Sequence, residues 1–295
     1  PPGKIRVNII RDRRAKEYPK KNGQRAAVVG SAFVYSEVPM NILAIGDVVG
    51  SVGCRFLRAH LPTLKKLKGV DLVICNGENS ADGNGITPSS AEYLFQSGVD
   101  VITTGNHAFR RREMYAVFDS CETLLRPANF PEGGAPGRGW LVYDMGRVQV
   151  GVINLMGVVY MEPLDNPFDA ADRILAAGLP KITLVDFHAE ATGEKKSLAY
   201  YLDGRVSAVF GTHTHVQTAD EQILPNGTGY LSDLGMTGPI HSVLGVKPEL
   251  TIEKMHRHIP VRFDLAGDPC EMDCALFTVD DKTGRSLSVE RFVIK

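Results

Sequence analysis

The chain has 295 residues, of which 43% are hydrophobic and 23% charged, and its net charge is −1. That balance suits a globular enzyme with a large core and gives no electrostatic case for a stable nucleic-acid or membrane partner. No run approaches the ~20 apolar residues of a membrane span, and no signal-peptide pattern appears.

The charge is uneven. Residues 1–39 hold nine Lys or Arg against three Asp or Glu, and the remainder is net −7. The opening Pro1-Pro2-Gly3 leads into a stretch without helical period, and Met40 stands directly before the first apolar run. Residues 1–39 therefore read as a basic N-terminal extension, non-native or disordered, although Val28–Val38 is apolar enough to add an edge strand. Residues 40–295 read as one catalytic domain. Cys54, Cys75, Cys121, Cys270 and Cys274 are odd in number and lack C-x-x-C spacing, which predicts reduced thiols in a cytoplasmic protein.

The first buried strand is Asn41–Ile45, ending in Gly46-Asp47. A glycine turn leads to a helix near Cys54–Lys68, its regularity interrupted at Pro62. Strand Leu72–Cys75 runs into Asn76-Gly77-Glu78-Asn79 and a glycine-rich loop. The next helix has Thr87 as N-cap, Pro88 in its first turn and Gly98 beyond its end. Strand Val99–Thr103 meets Gly105-Asn106-His107, followed by a basic helical stretch, Arg110–Ser120. Helices near Phe168–Ala177 and Glu194–Leu202 stop at Gly178 and Gly204. Strand Ile182–Phe187 delivers His188, and Val206–Phe210 delivers Gly211-Thr212-His213-Thr214-His215.

The last third changes character. Gln222–Leu224 and Gly229–Leu231 flank Pro225-Asn226-Gly227, a hairpin signal. Ile259–Leu265, Cys274–Val279 and Leu287–Ile294 read as strands without helices between them. A parallel βαβ part followed by antiparallel strands places the chain in the α/β class.

Five apolar runs thus end in polar knots. In open α/β sheets, ligands collect outside the carboxyl ends of the strands, so these runs would deliver their side chains to one edge of one sheet. Imidazole nitrogen and carboxylate oxygen are the donors divalent transition metals take at hydrolytic sites, with amide carbonyls as weaker additions. His213 and His215 are two apart and can face one site. Each piece also has an ordinary structural reading. Asp47 can cap a turn, Asn106 can satisfy its own backbone, and His188 can be a packed strand-end histidine. A turn needs the Asn and Gly of Asn76-Gly77-Glu78-Asn79, but it does not need the Glu. The joint, ordered series is more specific than any single motif.

That series resembles the calcineurin-like metallophosphoesterases, and within them the branch that includes bacterial 2′,3′-cyclic-nucleotide 2′-phosphodiesterases. The resemblance covers approximately residues 40–295. It implies a four-layer α-β-β-α sandwich with two mixed sheets flanked by helices. It also implies one metal held by Asp47, Glu78, Asn79 and His215, and a second by Glu78, Asn106, His188 and His213. Glu78 would bridge, and His107 would be the general acid. The two ions would be divalent or trivalent transition metals, iron first, with manganese or zinc also fitting. The chemistry implied is attack by a metal-bridging hydroxide on the phosphorus of a small phosphoester, expected to be a nucleotide. Val49 stands where most of the superfamily has His, and Ala108 where many relatives have a carboxylate. If a carboxylate orients His107 it must come from elsewhere, with Asp82 and Glu113 as candidates. Arg110, Arg111 and Arg112 read as a solvated face, with phosphate contact as the alternative.

Rival readings are a phosphomonoester nucleotidase and a non-catalytic regulatory metal-binding protein. A homo-oligomer is compatible with each. A dinucleotide-binding reading of Gly46–Gly53 fails on spacing and sets Asp47 against a pyrophosphate of like charge.

Overall fold

The computed structural model describes residues 39–131 and 133–295. The expected N-terminal extension and the strand at Val28–Val38 therefore lie outside the described residues, except for Pro39. In chain order the elements are β1 (Met40–Ile45), β2 (Asp47–Val48), α1 (Gly50–Lys68), β3 (Leu72–Asn76), α2 (Pro88–Gln96), β4 (Val101–Thr103) and α3 (Tyr115–Ser120). Next come β5 (Trp140–Asp144), β6 (Gln149–Met156), α4 (Pro167–Ala176), β7 (Ile182–His188), α5 (Thr192–Tyr201) and β8 (Ala208–Thr212). The remainder is β9 (Gln222–Ile223), β10 (Gly229–Leu231), β11 (Met236–Pro239), α6 (Pro248–Arg257), β12 (Cys270–Val279) and β13 (Ser286–Ile294).

These strands make two mixed sheets. One runs β2-β11-β12-β1-β3-β4, with β13 also on β12; the other runs β5-β6-β7-β8-β10-β9. β1, β3 and β4 are parallel, as are β6, β7, β8 and β10. The polar knots therefore come from two facing sheets, not from one sheet edge as the strand-end pattern alone predicts. The period of two in a strand separates its faces but says nothing of which sheet the strand joins.

Three apolar cores separate four layers. Leu43 and Ile45 of β1 pack with Leu57, Leu61 and Leu64 of α1 and Leu94 of α2. Ile42 and Ala44, on the opposite face, meet Leu184, Ala208 and Phe210 of the second sheet. Val185 and Phe187 of β7 pack under Ala170 and Ile174 of α4 and Leu198 of α5. This is the expected α-β-β-α sandwich. No helix among the described residues is long and apolar enough to cross a membrane.

Some local expectations need correction. α1 is continuous through Pro62, which sits on the exposed side while Leu57, Leu61 and Leu64 anchor the helix on both sides of it. Arg110–Ser120 is α-helical only from Tyr115, after a 3₁₀ turn at Arg112–Met114. Ile259–Leu265 is not a strand. It follows α6, a helix the sequence reading omitted, and Pro260 removes a backbone donor within it. Strands β2, β5, β6 and β11 have no counterpart among the strands expected from the sequence.

Candidate metal centre

Alternation along the strands builds the floor of the centre. Leu72 and Ile74 of β3 face the second sheet, so Asn76 does too; by the same count Val101 leads to Thr103, Leu184 to Asp186 and His188, and Phe210 to Thr212. The inter-sheet core therefore ends in a polar seam. Thr103 donates to Asp186 Oδ2, and Thr212 Oγ1 donates to Asp186 Oδ1 at 2.8 Å. Thr212 Oγ1 also lies 2.9 Å from His188 Nδ1, and Asn76 Nδ2 lies 3.3 Å from the same nitrogen.

Above this seam His188 Nε2 lies 2.9 Å from Asn106 Oδ1, 3.1 Å from His213 Nδ1 and 3.2 Å from Glu78 Oε1. The ligand atoms of Glu78, His188 and His213 all fall within 4.8 Å of one another. Gly105 makes room for the ring, since a Cβ there would sit 2.1 Å from His188 Cδ2. Glu78 Oε1 is buried and makes no hydrogen bond, while Oε2 accepts the His107 backbone N–H at 2.9 Å. A buried carboxylate oxygen among converging histidine nitrogens needs positive charge beside it, which a protonated His188 at 3.2 Å supplies in the metal-free fold and a metal ion supplies once the rings are neutral.

Asp47, Asn79 and His215 form a second cluster. Asn79 Nδ2 is 3.3 Å from Asp47 Oδ1 and 3.2 Å from His215 Nε2, and His215 Nε2 is 3.6 Å from Asp47 Oδ1. Asp47 Oδ2 accepts the His213 N–H. Asn79 Oδ1 instead faces His107 Nδ1 at 2.7 Å, so ligation through that oxygen requires the amide to turn over. His107 Nδ1 thus faces Asn79 Oδ1 and, at 3.4 Å, the carboxylate oxygen Glu78 Oε1, in place of the candidates Asp82 and Glu113. Ala108 is buried within the apolar core, and Val49 is buried as well. Arg110 and Arg112 are exposed.

The donor chemistry fits a metal in a further respect. A ligating histidine donates its other ring N–H to a carboxylate, carbonyl or hydroxyl, which leaves the inner nitrogen bare. Each ring here has such an outer partner. His188 has Thr212, backed by Asp186; His213 Nε2 has Glu190 Oε2 at 3.2 Å; His215 Nδ1 has the Leu244 carbonyl at 3.3 Å. Sequence reasoning missed Asp186, Glu190 and Thr212. Asp186 stands two before His188 on the same strand, a spacing that places both on one face.

The charges reinforce one another. Burial pushes His188 down, but the Glu78 charge, then Asp47 and Asp186, carry it up to about 9. Burial and the neighbouring His188 push His213 down to about 4. For Asp47 burial acts upward, and the hydrogen bond and charge of His215 outweigh it, holding the carboxyl well below the usual range. Glu78 is likewise lowered against its burial, chiefly by His188. Burial lowers His107, with Glu78 opposing.

Known proteins share this fold. A 2′,3′-cyclic-nucleotide 2′-phosphodiesterase of Bacillus subtilis (strain 168) is 44% identical over 257 residues, which is 86% of this chain and 97% of the relative. The crystal structure of a novel phosphatase from Mycoplasma pneumoniae is 33% identical with a TM-score of 0.83, covering 88% of this chain and 95% of that one. A hypothetical protein from Thermus thermophilus is 40% identical with a TM-score of 0.82, covering 86% and 98%. The family model described as YmdB-like protein matches residues 43–292, and the chain belongs to that family.

Proposed function

We propose that the chain is a two-metal phosphoric ester hydrolase that opens 2′,3′-cyclic nucleotides at the 2′ oxygen. The observation that carries this reading is the orphaned Glu78 Oε1 facing His188 and His213, beside the Asp47, Asn79 and His215 cluster. Asp47, Glu78, Asn79 and His215 hold one ion, and Glu78, Asn106, His188 and His213 hold the other. The ions supply an activated water and neutralise the phosphate oxygens. Nitrogen and oxygen donors without thiolate suit iron, manganese or zinc, with iron first. The free cysteines agree with a reducing, cytoplasmic setting.

His107 delivers the proton to the departing ribose oxygen. Its Nε2 must then carry a proton while Nδ1 is held. The acid is the imidazolium, which gives up its Nε2 proton and returns to neutral imidazole with Nδ1–H held by Asn79 Oδ1 at 2.7 Å or, once that amide turns to ligate, by the Glu78 carboxylate, whose Oε1 lies 3.4 Å away. The substrate class rests on the B. subtilis relative's name; the ligands themselves handle only the phosphoryl group.

The test is metal analysis of purified protein coupled to a panel of 2′,3′-cyclic and 3′,5′-cyclic nucleotides, phosphomonoesters and phosphodiesters, each with and without chelator. Chelator-sensitive hydrolysis highest on the 2′,3′-cyclic compounds is expected. Bound metal without turnover of any compound would instead favour the regulatory reading.

A further inference from the structure

Lys195 lies within α5 and is 2% exposed, although a lysine is almost never fully buried unless paired. Its Nζ donates to Asp233 Oδ2 at 2.6 Å, and Asp233 is itself 1% exposed. A Cβ at Gly211 would meet the Ser232 carbonyl at 1.8 Å and Lys195 Cδ at 3.0 Å, so glycine lets β8 and the lysine stem pass.

Both oxygens of Asp233 are committed to backbone of the metal centre. Oδ2 also accepts the Thr214 N–H at 3.1 Å, and Oδ1 accepts the Gly235 N–H at 2.9 Å. Thr214 stands between His213 at φ 105° and His215 at φ 62°, conformations that side-chain-bearing residues keep only when their surroundings enforce them. The Gly235 carbonyl in turn accepts the Asp47 N–H at 3.1 Å. One buried carboxylate therefore braces the backbone on both sides of the Asp47–His215 pair.

We propose that the Lys195–Asp233 ion pair is a positioning device for the Asp47, Asn79 and His215 pocket. The inference rests on the two-metal reading. Neither residue is within the ligand clusters. Lys195 sets its positive charge against Asp233 in a dry site, and the two carboxylate oxygens hold the Thr214 and Gly235 N–H groups. Without the lysine, the buried Asp233 carboxylate loses its counter-charge, draws in water and frees Thr214. His213, directly following β8, keeps its place, whereas His215 beyond Thr214 loses it.

The experiment compares the wild-type chain, Lys195→Met and the double variant Lys195→Met/Asp233→Asn. It measures manganese and iron stoichiometry, affinity for each ion, and melting with and without chelator. Lys195→Met is expected to keep its fold and one ion, to bind the second about 10–100-fold more weakly, and to regain activity as free Mn²⁺ is raised. The double variant leaves no unpaired buried charge, so it carries the test if Lys195→Met does not fold. The side-chain amide that replaces the carboxylate has a single oxygen and cannot accept from both N–H groups, so the second ion should remain weak. Two ions at wild-type affinity in the folded single or double variant overturn the proposal, as does loss of both ions together. A wild-type chain that binds no metal instead overturns the two-metal reading, and this inference with it.

Discussion

The pocket of Glu78, Asn106, His188 and His213 and the pocket of Asp47, Asn79 and His215 lie side by side but are built from different material. In the first, His188 is the last residue of β7, fully buried, and its outer nitrogen rests on a threonine and a carboxylate of the inter-sheet seam. In the second, His215 sits in a left-handed turn, backed by a lone carbonyl at 3.3 Å, and the amide of Asn79 faces it with nitrogen. A histidine carried on a strand is held by the sheet ladder, while one carried on a turn needs separate bracing. The first pocket should therefore fill at lower metal concentration.

Glu78→Gln touches both pockets and is expected to have the largest effect. It should reduce turnover by more than the roughly 10²–10⁴-fold typical of removing a general acid, with loss of bound metal. Metal analysis together with kcat checks this; full activity with normal metal content sinks the assignment of Glu78. His107→Gln should fall within that roughly 10²–10⁴ range while keeping both ions, and the loss should shrink for substrates with acidic leaving groups.

Asp186→Asn should weaken metal only at the His188 pocket, by about 10–100-fold. Calorimetric titration separates the two binding steps, and a uniform weakening would erase the contrast between the pockets. The pH dependence should also be specific to the His188 pocket. Because His188 is raised to about 9, its proton stabilises the metal-free fold in full below the ordinary histidine value, and that contribution is lost as pH rises through about 9. Metal must expel the same proton. Binding at pH 8 should therefore release it, and affinity should rise about tenfold per pH unit until about 9. Titration in buffers of different ionisation heat measures the release. Glu190→Gln should have the smallest effect, a few-fold at most in affinity, since Glu190 is half exposed and solvent can replace it.

Much of the centre was legible because chemistry at strand ends is written locally. Each run of Val, Ile and Leu stops at a residue a turn does not require, and Glu78 is the clearest case. The cap of α2 was legible for the same reason, with Thr87 and Ser90 bonding reciprocally. What lay outside reach was non-local. That β3 and β7 belong to facing sheets, so that Asn76 and Thr212 meet at His188, depends on pairing between segments more than a hundred residues apart. α6 escaped notice because Ile252 and Met255 point outward, so its apolar spacing matches no buried face. Its Pro248 start and its Lys254, His256 and Arg257 end were nevertheless present as signals.

The seam has a consequence for when the molecule becomes active. Asp47, Glu78, Asn79 and Asn106 come with the first sheet, and His188, His213 and His215 come with the second. A half-formed chain in which only the first sheet has assembled owns carboxylate and amide oxygens but no imidazole ligand. It can neither retain a transition metal tightly nor cleave a phosphoester. On the two-metal proposal, metal capture would reward only the docked pair of sheets, and its binding energy would be added to the stability of that state alone.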